Sequence, residues 1–252
     1  MAETTEIAWC DSTFNPWIGC QKVSPGCDNC YAETLMDKRY HKVKWGPHGE
    51  RKRTSEANWK QPLHWARRAA VAKAKAWANC EPAPERPRVF CSSLADWLDN
   101  QVPRQWRNEL GTMICSTPEL DWLLLTKRPE NYKRLAPWNL DEIPSNVWIG
   151  FTAEDQEHYD RRWAIVRDIP ARVRFCSYEP ALGPLELSGS VHPDWIICGG
   201  ESGAGYRDMP EEWADQIRYE CGVAGVAFFM KQMAGKKPIP YRLQVREFPE
   251  VR

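Results

Sequence analysis

Residues 13–31 of this chain read TFNPWIGCQKVSPGCDNCY and hold the most crowded group among its ten cysteines. Cys27 and Cys30 form a Cys-x-x-Cys pair, and Cys20 lies seven residues before that pair across a Pro-Gly turn. Such a turn can direct two thiolates towards one metal centre, with Cys20 as a third ligand. Three soft thiolates select zinc, copper or an iron–sulfur cluster. The spacing therefore predicts a metal site on these three cysteines, although a lone Cys-x-x-Cys pair also occurs in redox proteins and by chance.

Length and composition indicate one globular domain. The chain has 252 residues, of which 42% are hydrophobic and 27% charged, and α/β barrels of this size commonly form a single domain. We therefore predict one domain over residues 1–252. The 34 basic and 34 acidic residues balance, so net charge gives no evidence for a nucleic-acid partner, although a neutral total can contain a local basic patch.

The sequence also predicts a cellular location. Its first residues are acidic and polar, and we expect no secretory signal because a basic segment followed by an apolar core is missing. No apolar run approaches the roughly 18 residues of a membrane span. We expect a cytoplasmic protein with no membrane partner. In that reducing compartment, clustered cysteines indicate metal or redox chemistry rather than disulfides.

Short apolar runs alternate with helical patterns through most of the chain. Strands are predicted at residues 14–18, 88–92, 121–126, 147–151, 173–177, 195–198 and 226–230. Helices are predicted at residues 31–42 and 103–116, after Pro62, around residues 159–166 and after a capping Asp208. βα units of this spacing predict an α/β fold with a parallel sheet.

The helix after Pro62 is predicted to pack through one apolar stripe. Its apolar residues recur at steps of three and four, at Leu63, Ala66, Ala70, Ala74 and Trp77. The cations off this stripe are expected to face water, namely Arg67, Arg68, Lys73 and Lys75. We interpret the fourteen tryptophans of the chain mainly as packing residues, with a base-stacking surface as the alternative.

Polar side chains follow nearly every predicted strand. Chemistry in parallel α/β folds gathers beyond the carboxyl ends of the strands, so these residues predict a functional rim. The rim candidates are Ser92, Asp96, Lys127, Arg128, Thr152, Glu154, Glu179, Glu201 and Lys231. Gly199 and Gly200 precede Glu201, and because glycine lets backbone approach a ligand closely, they are predicted to form a cradle.

Several short motifs occur together with the Cys-x6-Cys-x2-Cys-Tyr-Ala loop. They are Leu-Thr-Lys-Arg-Pro at 125–129, Gly-Phe-Thr-Ala-Glu at 150–154, Ser-Tyr-Glu-Pro at 177–180 and Gly-Gly-Glu-Ser-Gly at 199–203. In this combination the chain resembles a phage-associated three-cysteine-motif family, a domain of unknown function, over nearly its whole length. That family in turn resembles the radical S-adenosylmethionine (SAM) enzymes, such as spore photoproduct lyase.

The resemblance implies a fold, two cofactors and a reaction. It implies a partial TIM-like (βα)6-7 barrel of the radical SAM type, in which Cys20, Cys27 and Cys30 hold a 4Fe–4S cluster. Three cysteines leave one iron open, and by resemblance that iron binds the amino and carboxylate groups of SAM. The enzyme then makes a 5′-deoxyadenosyl radical with electrons from a low-potential donor, flavodoxin or ferredoxin. A three-Cys-motif partner protein is a further expectation.

The same resemblance implies that SAM lies across the rim. Its predicted contacts are Tyr31, Ser92, Asp96, Thr152, Glu154, Glu179, Gly199, Gly200 and Glu201. Two features depart from the superfamily pattern. The first gap of the cysteine motif has six residues rather than three. The Gly-Gly-Glu sequence follows the sixth strand rather than the second, so Asp96, or Ser92 with Ser93, is the alternative to Glu201 for the methionine amine.

Two other functions remain open at this point. Cys10 lies ten residues before Cys20 and could complete a closed four-thiolate zinc site in a non-enzymatic protein. A nucleic-acid-binding module is the second alternative, and a radical enzyme could also act on a base.

The substrate is predicted from the basic residues of the rim. Lys127, Arg128 and Lys231, with residues 51–53, are predicted to bind the phosphates of a nucleotide or nucleic acid. In the other interpretation, these cations pair with the rim carboxylates and stabilise the rim.

Overall fold

A computed structural model of the chain describes residues 5–187 and 189–250. In chain order its strands are β1 (Ser12–Phe14), β2 (Trp17–Ile18), β3 (Lys52–Arg53), β4 (Arg88–Cys91), β5 (Asp121–Thr126), β6 (Val147–Thr152), β7 (Val173–Tyr178), β8 (Trp195–Gly199) and β9 (Ala227–Gln232). The helices are α1 (Tyr31–Glu33), α2 (Glu56–Trp59), α3 (Gln61–Ala78), α4 (Arg104–Cys115), α5 (Tyr132–Leu135), α6 (Gln156–Val166) and α7 (Glu211–Ala224).

The main sheet contains seven strands, all parallel, in the order β1-β4-β5-β6-β7-β8-β9. It curls into a half-barrel flanked by helices. Neighbours in the sheet follow one another along the chain, as expected for repeated right-handed connections. The prediction of an α/β fold with seven parallel strands is confirmed, and all strand carboxyl ends therefore meet at one edge.

Alternate residues of the strands pack on opposite faces of the sheet. The outer face packs against the helices in the larger core, where Ile149 and Cys176 meet α6 residues such as Tyr159. Inward-facing residues form a second core on the concave face, made by Phe90, Leu123, Trp148, Phe175, Trp195, Ile197 and Phe229. Gly150 lies on that concave face, where an added Cβ would overlap the ring of Phe175.

The amino-terminal side of the half-barrel is filled by both ends of the described chain. Trp9 packs against Phe90 with ring centroids 4.5 Å apart. Near the other end of the chain, Phe248 lies 5.3 Å from Trp195, whose indole N–H donates to the backbone of Glu247 at 2.9 Å. The side chains packed at this end are apolar, so the polar chemistry of the half-barrel is confined to its carboxyl side.

Two local predictions are wrong, and a third, the helix at 31–42, is confirmed only in part. β1 begins and ends earlier than expected, because Pro16 cannot donate to a ladder, and Trp17–Ile18 pairs instead with Lys52–Arg53. The predicted helix at 31–42 is α1 followed by a π-helical turn at Thr34–Arg39. Asp208 does not cap α7, which begins after Pro210, and its carboxylate accepts from Lys237 at 2.8 Å.

The stripe predicted to pack along α3 is a further correction. Its buried residues are Pro62, Trp65, Ala66 and Ala76, whereas Leu63 and Trp77 are exposed. The cations Arg67, Lys73 and Lys75 are exposed as predicted. Within the described ranges, no helix combines the length and the hydropathy that crossing a membrane requires.

Candidate functional site

The three cysteines lie in the segment that leaves the carboxyl end of β1, residues 20–31, which we call the cysteine loop. It contains a short 3-10 turn at Pro25–Cys27 and ends where α1 begins at Tyr31. A segment with so little regular structure needs tertiary contacts to hold one conformation. Side chains from the ends of β4, β5, β6 and β8 supply those contacts.

Arg128, just past β5, holds the beginning of the loop. Its guanidinium donates to the backbone carbonyl of Gln21 at 2.8 Å and lies 3.5 Å from the sulfur of Cys20. Asp96 accepts from the same guanidinium at 2.8 Å. Asp96 is itself oriented by the Thr126 hydroxyl at 2.7 Å. The guanidinium is therefore locked in place by a buried carboxylate, and the loop is attached to it.

Glu154, just past β6, holds the middle of the loop. The Ser24 hydroxyl donates to one of its oxygens at 2.6 Å, and Arg162 of α6 donates to the other at 2.7 Å. Gly26 lies directly against this carboxylate, and an added Cβ would overlap it. Burial by itself would raise the pKa of Glu154, but the positive charges of Lys127 and Arg162 hold that pKa below its ordinary value of 4.5.

Glu201, just past β8, holds the end of the loop. Its carboxylate accepts from the side chain of Asn29 at 2.9 Å and from the backbone N–H of Arg207 at 2.7 Å. Arg207 also donates to the carbonyl of Pro25 at 2.9 Å. Burial opposes ionisation, but the hydrogen bonds from Arg207 and Asn29 lower the pKa of Glu201 overall. Glu201 thus contacts the cysteine loop, as its predicted place on the rim allows.

Tyr31 and Ser92 mark the contact between the loop and β4. The Tyr31 hydroxyl donates to the backbone carbonyl of Ser93 at 2.5 Å. Ser92 is buried and has a φ of 70°, a left-handed conformation that a residue other than glycine adopts at a cost of about 1–2 kcal/mol. Its N–H donates to the carbonyl of Phe14 at 2.9 Å. The strained residue thus lies where β4 and β1 end beside each other.

The thiols of the loop differ in their surroundings. All three are half-buried. Burial raises the pKa of Cys20 to about 12, although the Arg128 charge opposes this, and burial also raises the pKa of Cys30. The Cys27 sulfur lies 3.9 Å from the Ser24 hydroxyl.

The three thiols of the cysteine loop limit the kinds of metal group that the loop could hold. Across the described residues, no three His, Cys, Asp or Glu side chains are placed to hold a single metal ion. A cubane cluster binds each cysteine to a separate iron, so its ligands do not meet at one point. Three thiols in one loop at the carboxyl edge are of the right chemistry for such a cluster.

Cys10 lies apart from the loop in the chain, before β1. It belongs to the apolar cluster on the concave face, and its sulfur lies 3.7 Å from the carbonyl of Ile7. Burial raises the pKa of its thiol to about 12.

A polar layer lines the concave face above the apolar one. Lys127 donates to the Thr152 hydroxyl at 3.3 Å, and Lys231 pairs with Glu179 at 2.8 Å. Ser177 lies 3.4 Å from the same carboxylate. We call these five residues the inner polar layer. It brings together four predicted site residues and Ser177, the last residue of the strand predicted at 173–177.

The glycine pair after β8 is packed against the protein itself. An added Cβ at Gly200 would lie 2.5 Å from the backbone nitrogen of Ala234, and one at Gly199 would lie 2.7 Å from a Glu179 oxygen. The close approach that the sequence suggested for a ligand is made here by neighbouring protein atoms. Packing within the protein therefore explains why both positions are glycine.

Several predicted phosphate-binding cations are engaged inside the protein. Arg128 is buried on Asp96. Arg51 pairs with the buried Asp99 at 2.7 Å, and Arg53 pairs with Glu109 at 3.0 Å. In this conformation these three arginines neutralise carboxylates, whereas Lys127 and Lys231 lie in the inner polar layer and Lys52 is exposed.

Sequence reasoning missed the partners that complete these contacts. Arg162 and Arg207 each bind a rim carboxylate, while Ser24 and Asn29 present the loop to them. Arg162 lies eight residues after Glu154, beyond the three- or four-residue spacing at which helical neighbours meet, and Glu154 precedes α6. No local signal links Asn29 to Glu201 either, since they lie 172 residues apart.

The comparison with protein families gives the chain a place among known sequences. The sequence model of the family "Protein of unknown function (DUF5131)" matches residues 4–245. The chain belongs to this family. Its predicted membership of a family of unknown function, over nearly the whole length, is thus confirmed. Searches of curated proteins and of solved structures gave no match.

Proposed function

We propose that this protein is a radical SAM enzyme whose 4Fe–4S cluster is held by Cys20, Cys27 and Cys30. The observation that carries the proposal is the position of the cysteine loop, directly after the first strand and above the carboxyl edge of a parallel half-barrel. Active sites of parallel barrels gather at this edge. Reductive cleavage of SAM to a 5′-deoxyadenosyl radical is the chemistry that such a cluster supplies when bound.

The residues around the loop divide into two roles. Arg128, Glu154 and Glu201 hold the backbone and side chains of the loop, and so would preset the positions of its thiols. The inner polar layer lies on the concave face, where Thr152 and Glu179 can accept from an amine or ribose hydroxyl and Lys127 can donate to a carboxylate. We therefore assign SAM contact chiefly to these residues among those predicted.

The substrate proposal is narrower than the sequence suggested. Lys127 and Lys231 lie on the concave face, where Lys127 bonds a neutral hydroxyl and a phosphate would compete with Glu179 for Lys231, whereas Arg128 is buried on Asp96. We propose a nucleotide-type substrate bound by these two lysines. Radical chemistry of this kind also requires a low-potential electron donor such as flavodoxin or ferredoxin.

The experiment is anaerobic reconstitution with iron and sulfide, reduction, and addition of SAM. We expect 5′-deoxyadenosine to form and calorimetry to show SAM binding. Glu179→Gln should weaken SAM binding about tenfold, the order of one charge-assisted hydrogen bond. The exposed Glu186→Gln serves as the matched control. A reconstituted cluster without SAM binding would refute the proposal.

One observation favours a second candidate, a non-enzymatic protein with a structural thiolate site. Asp96, Glu154 and Glu201 bind protein groups, so they are not free to bind a cofactor in this conformation. Metal analysis of protein purified without added metal separates the two candidates. Zinc at one equivalent, retained in place of iron and sulfide, would support the structural site.

A further inference from the structure

Trp77 of α3 is exposed in a way that no other tryptophan of the chain shares. The chain has fourteen tryptophans, and all of them lie in the described ranges. Trp77 is 83% exposed, whereas the other tryptophans are buried or half-buried. Covering an indole of this size is favourable because apolar surface is removed from water, so Trp77 is available for contact with a partner.

The charge around Trp77 is mainly positive. Residues 56–81 contain two carboxylates, Glu56 and the exposed Glu81, but five cations, namely Lys60, Arg67, Arg68, Lys73 and Lys75, in a protein with no net charge. In the described part of the chain, no salt bridge involves Arg67, Lys73 or Lys75. The second half of α3, from Val71 to Ala78, is exposed except for Ala76. This surface therefore complements a polyanion.

Helical spacing places some of these groups on one side of α3. Lys73 and Trp77 are four residues apart, so they lie next to each other, whereas Lys75 is two residues from both and faces another side. Leu63 lies fourteen residues before Trp77, on the same side as Trp77, and lines a groove of about 810 Å³ between α3 and α4. Lys60 and Arg104 line the same groove together with Glu56 and Glu109. A ligand that covers Trp77 can thus contact Lys73 and continue along the helix.

We propose that α3 binds single-stranded nucleic acid, with Arg67 and Lys73 at phosphates and an unpaired base stacked on Trp77. Bases stack on exposed aromatic side chains while basic side chains follow the backbone. One strand supplies both the anions and the flat apolar faces that this surface lacks. An acidic protein would neutralise the cations, but it would also need a separate apolar face to cover the indole.

This site is distinct from the cysteine loop and does not depend on the proposed function. α3 leads into the amino end of β4, whereas the cysteine loop leaves the carboxyl end of β1. Binding to α3 requires neither cluster nor SAM. Failure of the radical reaction and failure of nucleic-acid binding are therefore separate results.

The test is fluorescence anisotropy of a labelled oligothymidylate with the full chain, titrated at several salt concentrations. The Arg67→Gln/Lys73→Gln variant should bind more weakly and reduce the slope of log affinity against log salt by about 1.4, since each single-strand phosphate contact contributes about 0.7. Trp77→Ala should lose at least about fivefold in affinity with an unchanged slope, and Trp77→Phe should recover part of it. The matched control is Lys133→Gln/Lys236→Gln, which removes two exposed lysines elsewhere.

Three outcomes would overturn the proposal. The first is no binding by the parent protein at low salt. The second is equal weakening in the control and α3 variants, which would show that binding follows total charge alone. The third is equally tight, Trp77-dependent binding of polyglutamate, which would assign α3 to an acidic protein partner instead.

Discussion

Arg128 and Asp96 form a buried ion pair in which a guanidinium nitrogen lies 2.8 Å from a carboxylate oxygen. The sulfur of Cys20 lies 3.5 Å from the same guanidinium. One arginine thus joins two strand ends to the first predicted metal ligand. Metal binding requires a deprotonated thiol, and a neighbouring guanidinium stabilises that form. The pair therefore links the stability of the rim to the chemistry of the loop.

Breaking this pair should destabilise the protein strongly. Arg128→Gln leaves the Asp96 carboxylate buried without its cation, which typically costs about 3–5 kcal/mol. Urea unfolding should show this loss, and the double variant Arg128→Gln/Asp96→Asn should recover part of it. The exposed Arg134→Gln is the control and should change the free energy of unfolding little. Equal losses in the free energy of unfolding for Arg128→Gln and Arg134→Gln would mean that the buried pair stabilises the protein no more than an exposed arginine does.

Replacement of each loop cysteine tests the metal assignment. After anaerobic reconstitution, Cys20→Ala, Cys27→Ala and Cys30→Ala should each lose the visible thiolate-to-iron absorption, because a cluster on three protein ligands does not survive the loss of one. Cys10→Ala should retain it, as should the exposed Cys115→Ala. If Cys10→Ala removes bound metal as completely as Cys27→Ala, a four-thiolate site is the correct assignment.

Gly26→Ala tests whether the loop must lie against Glu154. The added methyl group would overlap the carboxylate, and overpacking of this kind typically costs about 1–3 kcal/mol. We expect a lower melting temperature, faster proteolysis within residues 20–31 and weaker iron retention. Gly203→Ala is the matched control, since no atom lies within 4 Å of its added Cβ. A Gly26→Ala protein with normal stability and iron content would show that this contact is dispensable.

Glu154 gives the stability of the protein a defined pH dependence. Because its pKa is below 4.5 in the folded state, its contribution is present above the unfolded-state pKa and is lost as the pH falls through the folded-state pKa. Glu154→Gln should therefore unfold more easily than the parent at neutral pH, and this difference should shrink below pH 4.5. Urea unfolding across the acid range measures it, with the exposed Glu157→Gln as control. A difference that stays constant with pH would contradict the assignment.

The sheet and the place of the candidate site could be predicted from the residue pattern alone. Apolar runs such as residues 121–126 and 147–151 are confirmed as strands nearly to the residue, because a strand buried on both faces must be continuously apolar. Parallel strands then place every carboxyl end at one edge, so polar residues such as Glu154 and Glu201 had to lie near the cysteine loop.

The contacts of those polar residues could not be predicted, because they depend on how distant parts of the chain pack together. Glu201 meets Asn29 across 172 residues of chain, and no local pattern encodes such a pair. The structure likewise decided that Trp77 is exposed although it lies on an apolar stripe. Periodicity gives the side of a helix on which a residue lies, but burial depends on whether another element reaches that side, and for the second half of α3 no described element covers it.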